Sequence, residues 1–248
     1  MNREHHTFPA TSVTMSLAGA SILGLALAGC AGAAEDAATE SPPDSPTTSQ
    51  SGGGQFATEL VGESDFTTEP DGERTGEKAQ QQVLDGRLVL TNIGPGLTWQ
   101  SSEIDQESGS AALLVAGELE LAPELFAAEA PGVAAGVGVG SSEGTWDYFL
   151  TCGTNGLAVL QRSGDTEAIE LAEFSDAGCG ETFTLALEAY QPTAGNTQLF
   201  LTLPNGTSET VTDDAAYGPF SYYGFMVYGQ QYPVTASVLN GQAYAAPQ

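Results

Sequence analysis

The sequence predicts an all-β fold, an antiparallel two-sheet sandwich that follows a disordered tether. From about Val83 onward, short apolar runs alternate with polar residues at a period of two, and glycine, asparagine, aspartate or proline separates the runs. Helical periodicity is absent there, apart from a single turn near Pro123–Glu129. About a dozen strands in roughly 165 residues is typical of a sandwich or barrel.

The predicted strands are short and evenly spaced. They lie at Arg87–Thr91, Leu97–Gln100, Ala111–Leu121, Gly132–Val139, Trp146–Cys152, Leu157–Gln161, Ala168–Leu171, Thr182–Tyr190, Thr197–Leu203, Ser208–Thr212, Tyr222–Tyr228 and Pro233–Leu239. Asn155-Gly156 and Asn205-Gly206 fall between alternating runs, and Asn-Gly accepts the positive φ that primed turns require. We therefore predict a hairpin at each pair.

The order of the segments carries a resemblance. The chain passes from AALLVAGELEL and GVAAGVGVG through WDYFLTCGTNGLAVLQRSG to FTLALEAYQ, QLFLTLPNGTSETVTD, YYGFMVYG and YPVTASVLNGQAY. This order resembles the laminin-G-like, concanavalin A-type jelly roll over Val83–Tyr244. The resemblance implies a jelly-roll sandwich, a fold that hosts lectins, enzymes and spacers alike.

The N-terminus predicts export and lipidation. Residues 1–29 read as a signal peptide, with Arg3 before an apolar stretch from Val13 to Ala28. The stretch ends in Leu27-Ala28-Gly29-Cys30, which resembles the lipobox of bacterial lipoproteins. The resemblance implies cleavage before Cys30, diacylglycerol on its thiol, and a lipid-anchored protein on the extracytoplasmic face of the cell membrane. A plain signal peptide and an uncleaved membrane anchor remain alternatives.

Cysteine usage agrees with an oxidising compartment. Besides Cys30 the chain contains one pair, Cys152 and Cys179. An even remainder in an exported chain predicts a disulfide, which contributes about 3 kcal/mol in the chain-entropy model. A reactive thiol or a metal ligand is the alternative.

Composition divides the chain into three parts. Residues 30–82 are rich in proline, glycine and acids and poor in apolar residues, which predicts a disordered acidic tether beginning at the lipidated cysteine. The predicted organisation is a signal peptide at 1–29, this tether at 30–82 and one concanavalin A/laminin-G-like β-sandwich at 83–248.

Charge and missing residue types limit the function. The predicted domain has twenty acidic residues and only Arg87 and Arg162, a formal charge of −18, so nucleic acid is excluded as a partner. His5 and His6 both lie in the signal peptide, which removes histidine-dependent catalysis and histidine-bound zinc. Only carboxylate chemistry remains, and no cofactor is expected.

Two acidic segments are candidate sites. Glu103-Ile104-Asp105-Gln106-Glu107 resembles the E-I-D-x-E signature of laminarinase-type retaining glycosidases, where a strand would align the three acids on one face. The motif stands early in the domain, without surrounding aromatic residues, and SSEIDQESGS is typical of a polar loop. Catalysis, cation ligation and a solvated loop stay open, and the loop is favoured.

Asp213 and Asp214 could likewise bind a cation or be plain surface.

The aromatic run from Tyr217 to Tyr232 is the predicted ligand site. Aromatic faces stack on sugar rings, and tyrosine adds a hydroxyl. Alternation places Tyr223, Phe225 and Val227 on one face of the strand, and if that face is the core, Tyr222 and Tyr228 are the better contact candidates. The predicted ligand-binding residues are Tyr217, Tyr222, Tyr228 and Tyr232. Packing of all these rings in the sandwich is the alternative.

The sequence therefore favours a monomeric, non-catalytic binding module. Its membrane contact would be the lipid anchor, and its partner a glycan or another component of the cell envelope. A carboxylate-based glycoside hydrolase and a structural envelope protein are the alternatives. In the binding module, aromatic residues would bind the glycan. In the hydrolase, a closely spaced carboxylate pair would cleave it.

Overall fold

The computed structural model describes residues 53–64, 66, 79–94, 96–106, 108–127, 132–143, 145–164, 167–192, 195–230 and 233–248. The predictions made for Cys30, Glu107 and Tyr232 lie outside these residues. No helix within the described ranges is long and apolar enough to cross a membrane.

Strands dominate the described part of the chain, as the alternating pattern predicts. In chain order the elements are β1 (Glu59–Ser64), β2 (Ala79–Leu84), β3 (Arg87–Asn92), β4 (Gly96–Glu103), β5 (Ala112–Leu121), α1 (Pro123–Ala127), β6 (Ala134–Gly140), β7 (Tyr148–Gly153), β8 (Ala158–Arg162), β9 (Ile169–Phe174), β10 (Thr182–Tyr190), β11 (Thr197–Thr202), β12 (Ser208–Asp213), β13 (Tyr222–Gly229) and β14 (Val234–Ala245). The single turn near Pro123 is confirmed as α1.

The strands form two antiparallel sheets. One has eight strands in the order β12-β11-β10-β5-β14-β3-β2, and β1 also pairs with β14. The long β14 binds β3 through Val234–Val238 and β1 through Gly241–Ala245, so two strands share one of its edges. The other sheet has six strands in the order β4-β13-β6-β7-β8-β9. The predicted all-β, two-sheet sandwich is confirmed.

One large apolar core fills the space between the sheets. Alternation decides its composition, because every second residue of a strand faces the other sheet. The largest fully buried side chains include Tyr148, Phe220 and Phe225, with leucines from β3, β5, β7, β8 and β10 around them. Tyr148 and Phe220 also meet edge to face.

The predicted disulfide is confirmed. Cys152 of β7 is bonded to Cys179 in the connection between β9 and β10, with the Cα atoms 5.5 Å apart. This distance lies in the usual range for a disulfide. The bond ties the six-stranded sheet to the segment that enters the eight-stranded one.

Both Asn-Gly hairpins are present, but their turns are not of the predicted primed type. Only the glycines have positive φ, 83° at Gly156 and 82° at Gly206. Each asparagine Oδ1 instead accepts a backbone hydrogen bond from two residues on, Leu157 or Thr207. These longer loops need one left-handed residue and not two.

The predicted boundary at residue 83 is wrong, because the sandwich begins earlier. Strand β1 and most of β2 lie within the range assigned to the tether. Backbone hydrogen bonds to β14 and β3 hold these strands, and such bonds need few apolar side chains. Composition therefore could not identify them. Asp85 and Gly86, both with positive φ, form the two-residue turn between β2 and β3.

Residues Gly53–Ala57, the N-terminal segment, cover part of the outer side of the eight-stranded sheet. The Glu188 carboxylate on β10 accepts backbone hydrogen bonds from Gln55, Phe56 and Ala57 at 2.8, 2.7 and 2.6 Å. The Phe56 ring stacks on Tyr190, with ring centroids 3.9 Å apart. Glu188 is consequently buried although it belongs to an outer side.

Candidate functional site

Alternation along β13 divides its large side chains between the two sides of the six-stranded sheet. Tyr223, Phe225 and Val227 share one side, as alternation predicts, and that side is the core. Tyr222, Met226 and Tyr228 project to the outer side, and the two tyrosines are half-buried there. Burial raises the pKa of the Tyr223 hydroxyl, which keeps this core side chain uncharged.

Strand pairing extends this outer side across the sheet. Met226 stands directly opposite Trp99 of β4 and Gly136 of β6. Directly opposite residues of an antiparallel sheet project to the same side. A distinct cluster of apolar side chains results, and it includes Trp146 from the β6–β7 connection. We name this outer side the aromatic face, defined by Trp99, Trp146, Phe149, Tyr222, Met226 and Tyr228.

Glycines form the floor of the aromatic face beneath Trp146. A methyl group at Gly138 would approach Cε3 of Trp146 to 2.7 Å, and one at Gly224 would approach its Cη2 to 2.7 Å. Because Gly138 and Gly224 stand opposite each other on neighbouring strands, the indole spans both. Only glycine permits this close approach of a ring to the sheet.

Polar contacts hold the segment that carries Trp146. The neighbouring Asp147 carboxylate accepts a 2.6 Å hydrogen bond from the backbone N–H of Ser141. The Ser163 hydroxyl donates to the carbonyl of Trp146, and the Ser163 N–H donates to that of Asp147. Burial raises the pKa of the Asp147 carboxyl above its usual 3.8, although hydrogen bonds from Ser141 oppose the shift.

Two buried donors on the aromatic face have no acceptor within the described part of the chain. They are the indole Nε1 atoms of Trp99 and Trp146. Trp146 is only 6% exposed, so water has little access to its ring. A buried donor without an acceptor destabilises a fold by about 1–3 kcal/mol. Such groups require an explanation, and a ligand that supplies oxygen acceptors is one.

The structure places two of the four predicted ligand-binding tyrosines on one face of the sheet. Tyr222 and Tyr228 both lie on the aromatic face. Tyr217 does not join them: its ring packs edge to face on Tyr148, and its hydroxyl donates to the carbonyl of Ser163. This contact gives Tyr217 a packing role at the margin of the core.

Sequence reasoning missed Trp99 and Trp146, the two residues at the centre of the face. A signal was present in GVGVG, where every second residue of a strand lacks a side chain. Such a strand leaves room for a large ring on one side only. A tryptophan in the polar connection SSEGTWD was the available candidate for that ring.

The acidic motif does not form a row on a strand. Strand β4 ends at Glu103, Ile104 is buried, and Asp105 is exposed in the following loop. Glu103 projects to the aromatic face, opposite Tyr222. Asp105 and Gln106 instead border an open depression beside the C-terminal residues 246–248. The favoured interpretation, a polar loop, agrees with this arrangement.

The predicted aspartate pair is also divided. Asp213 is buried, accepts a 3.0 Å hydrogen bond from the Tyr148 hydroxyl, and lies 3.4 Å from the Arg162 guanidinium. These contacts join β12 to β7 and β8 in the opposite sheet, which gives Asp213 a structural role. Asp214 is exposed. Within the described ranges, no group of three histidine, cysteine or acidic side chains is arranged to hold a metal ion.

No family model matches the chain, and no curated protein matches it. Solved structures do resemble it. The carbohydrate-binding CBM2 module of the evolved Dit of Lactobacillus casei BL23 phage J-1 is 11% identical, with a TM-score of 0.50 over 77% of this chain and 97% of that one. The carbohydrate recognition domain of Emp46p is 12% identical, with a TM-score of 0.50 over 76% and 97%.

A third similar structure is the endo-β-1,4-glucuronan lyase of the fungus Trichoderma reesei. It is 10% identical, with a TM-score of 0.50 over 75% of this chain and 96% of that one. At such identities the likeness establishes the fold alone. The fold is an antiparallel two-sheet jelly roll, which confirms the predicted fold class.

Proposed function

We propose that the chain is an exported, lipid-anchored monomer whose jelly roll binds a glycan of the cell envelope at the aromatic face, without catalysis. The observation that carries the binding proposal is the pair of buried indole donors without acceptors, Trp99 Nε1 and Trp146 Nε1, on a sheet side covered with rings. Neither Nε1 atom is accessible to solvent, so neighbouring side chains have to move aside before a sugar hydroxyl becomes the acceptor that each donor lacks.

The remaining features of the face suit a sugar polymer. Aromatic rings stack on the apolar faces of sugars, and the hydroxyls of Tyr222 and Tyr228 add hydrogen-bonding groups. Tyr222 and Tyr228 are six residues apart on β13, a span of about 20 Å at about 3.3 Å per residue. This span suits an oligosaccharide better than a single sugar ring.

Similar structures lend support of a general kind. Two of the three are a CBM2 module and a carbohydrate recognition domain. Because the jelly roll also hosts other functions, the proposal depends on the aromatic face and not on the fold.

A matched pair of tyrosine variants tests the binding site. Tyr228→Ala removes a half-buried ring from the aromatic face, and Tyr190→Ala removes one from the outer side of the other sheet. We expect Tyr228→Ala to weaken binding of a β-glucan by about fivefold, from a loss of about 1 kcal/mol, measured by calorimetry on the purified protein. Tyr190→Ala should leave binding unchanged.

Equal binding by both variants at unchanged stability would exclude the aromatic face. Release of reducing sugar by the wild type, lost in Glu103→Gln, would replace the binding module with the alternative hydrolase, since Glu103 is an acid that projects to this face.

The proposed anchor rests on the lipobox and is tested separately. Cys30→Ser removes the thiol that accepts diacylglycerol, so we expect the protein in the medium or as an unprocessed precursor. Fractionation of cells followed by mass spectrometry of the N-terminus measures this. Membrane retention of a correctly processed Cys30→Ser protein would contradict lipid anchoring.

A further inference from the structure

The aromatic face is asymmetric across its strands. Rings and Met226 occupy β4, β13, the β6–β7 connection and β7, whereas carboxylates occupy the opposite edge strand, β9. Glu170 pairs with Gln161 of β8, which pairs with Phe149 of β7, so all three project to the same side. Glu173 pairs with Val159 and projects there as well. Both glutamates are exposed.

Register confirms the outward direction of these acids. A bulge between Leu160 and Gln161 places Leu171 as the extra residue of β9, so that Ala172 and Phe174 pack against the core. Glu170 and Glu173 consequently stand on the outer side on either side of the bulge. Glu103, at the end of β4, adds a third carboxylate at the other margin of the face.

Among the residues that the structure describes, none of the basic side chains lies on this surface. Only Arg87 and Arg162 are basic within the described part of the chain. Arg87 lies 2.8 Å from Glu120 on the eight-stranded sheet, and Arg162 is paired with Asp213 between the sheets. Neither guanidinium lies on the aromatic face. The carboxylates there would therefore repel a negatively charged ligand, and neither arginine would offset this repulsion.

From this arrangement we infer that the aromatic face selects uncharged glycans and rejects polyanionic ones such as polyuronates. The inference rests on the proposed glycan-binding function and adds its ligand class. Stacking and hydrogen bonding to Trp99 and Trp146 are available to any sugar ring, whereas the acids on β9 discriminate by charge. Selectivity should therefore depend on salt, because exposed charges are screened within about 3 Å at 1 M ionic strength and about 30 Å at 0.01 M.

The test compares one neutral β-glucan with the same polymer oxidised at C6 to the uronic acid. The two ligands share linkage and ring shape and differ in charge. We expect the oxidised polymer to bind the purified protein at least about tenfold more weakly at 0.01 M ionic strength, and the difference to shrink at 1 M salt.

Two double variants locate the effect. The two double variants are compared at about 0.1 M ionic strength, where charges more than about 10 Å from the ligand are largely screened. Glu170→Gln with Glu173→Gln should reduce the difference between the polymers several-fold there, while binding of the neutral polymer stays the same. Glu63→Gln with Glu118→Gln makes the same charge change on the eight-stranded sheet and should leave the difference intact.

The outcomes separate the inference from the proposed function. Equal or tighter binding of the oxidised polymer by the wild type would overturn the ligand class and leave glycan binding in place. Equal effects of both double variants would overturn the role of β9. Binding of neither polymer would contradict the proposed function itself, and the inference with it.

Discussion

The outer sides of the two sheets differ in whether another segment of the chain packs on them. On the eight-stranded sheet the chain covers its own surface: the N-terminal segment lies over Glu188, and Phe56 stacks on Tyr190. Three backbone N–H groups of this segment donate hydrogen bonds to the Glu188 carboxylate. On the six-stranded sheet, by contrast, the indole donors of Trp99 and Trp146 have no acceptor within the described ranges. Three other buried polar atoms share this condition, Gln81 Oε1, Thr98 Oγ1 and Arg162 Nε, but they do not belong to the aromatic face. The aromatic face is thus the outer side on which a ligand would supply the contacts that the N-terminal segment supplies on the other sheet.

The largest expected effect concerns the covered side. Glu188→Ala leaves three backbone N–H groups of the N-terminal segment without their acceptor, and hydrogen bonds to a charged group contribute about 1.5–3 kcal/mol each. We expect a loss of about 3 kcal/mol or more in denaturant unfolding, with faster hydrogen exchange at residues 55–57. Glu181→Ala, at an exposed position, is the control. A loss below about 1 kcal/mol would contradict the described contacts.

A smaller effect is expected on the glycine floor. Gly138→Ala places a methyl group 2.7 Å from Trp146 Cε3 and 2.8 Å from Met226 Cε, which forces the ring or the strand to move. Overpacking of this kind costs about 1–3 kcal/mol, and the displaced indole should weaken glycan binding. Gly180→Ala meets no atom within 4 Å and should change stability by less than about 0.5 kcal/mol. Similar behaviour of the two variants would show that the indole does not depend on the floor.

The smallest effect is a dependence on pH. Because burial raises the pKa of Asp147 in the folded state, the folded protein binds this proton more tightly than the unfolded chain does. The contribution of Asp147 to stability therefore falls as pH rises from about 3.8 through the raised pKa. Asp147→Asn should remove this pH dependence of the free energy of unfolding. The stability of the variant relative to wild type should therefore rise with pH. A constant difference between pH 3 and pH 7 would contradict the raised pKa.

Much of the sandwich could be predicted from the sequence because its strands alternate strongly. The core positions of β13 and the disulfide follow from local pattern and from cysteine count. Strand β1 could not be predicted in this way: backbone pairing with β14 and a carboxylate more than 130 positions away stabilise its surroundings, and composition records neither.

The candidate site was predictable in part, and for the same reason. Tyr222 and Tyr228 follow from alternation within one strand. Trp99 and Trp146 come together only through the pairing of β4, β13 and β6 and through two glycines on different strands. Such a juxtaposition depends on strand order, which local pattern does not give.

The most direct test of the ligand site uses the two indole N–H groups as reporters. Trp99 and Trp146 are the only tryptophans in the chain, so a ¹⁵N–¹H correlation spectrum contains two indole signals, which Trp99→Phe assigns. Titration with a neutral β-glucan should shift both signals in a saturable manner with one Kd, because sugar oxygens become their acceptors. Unmoved indole signals at a glucan concentration that saturates binding by calorimetry would contradict the account, and would place the ligand elsewhere on the molecule.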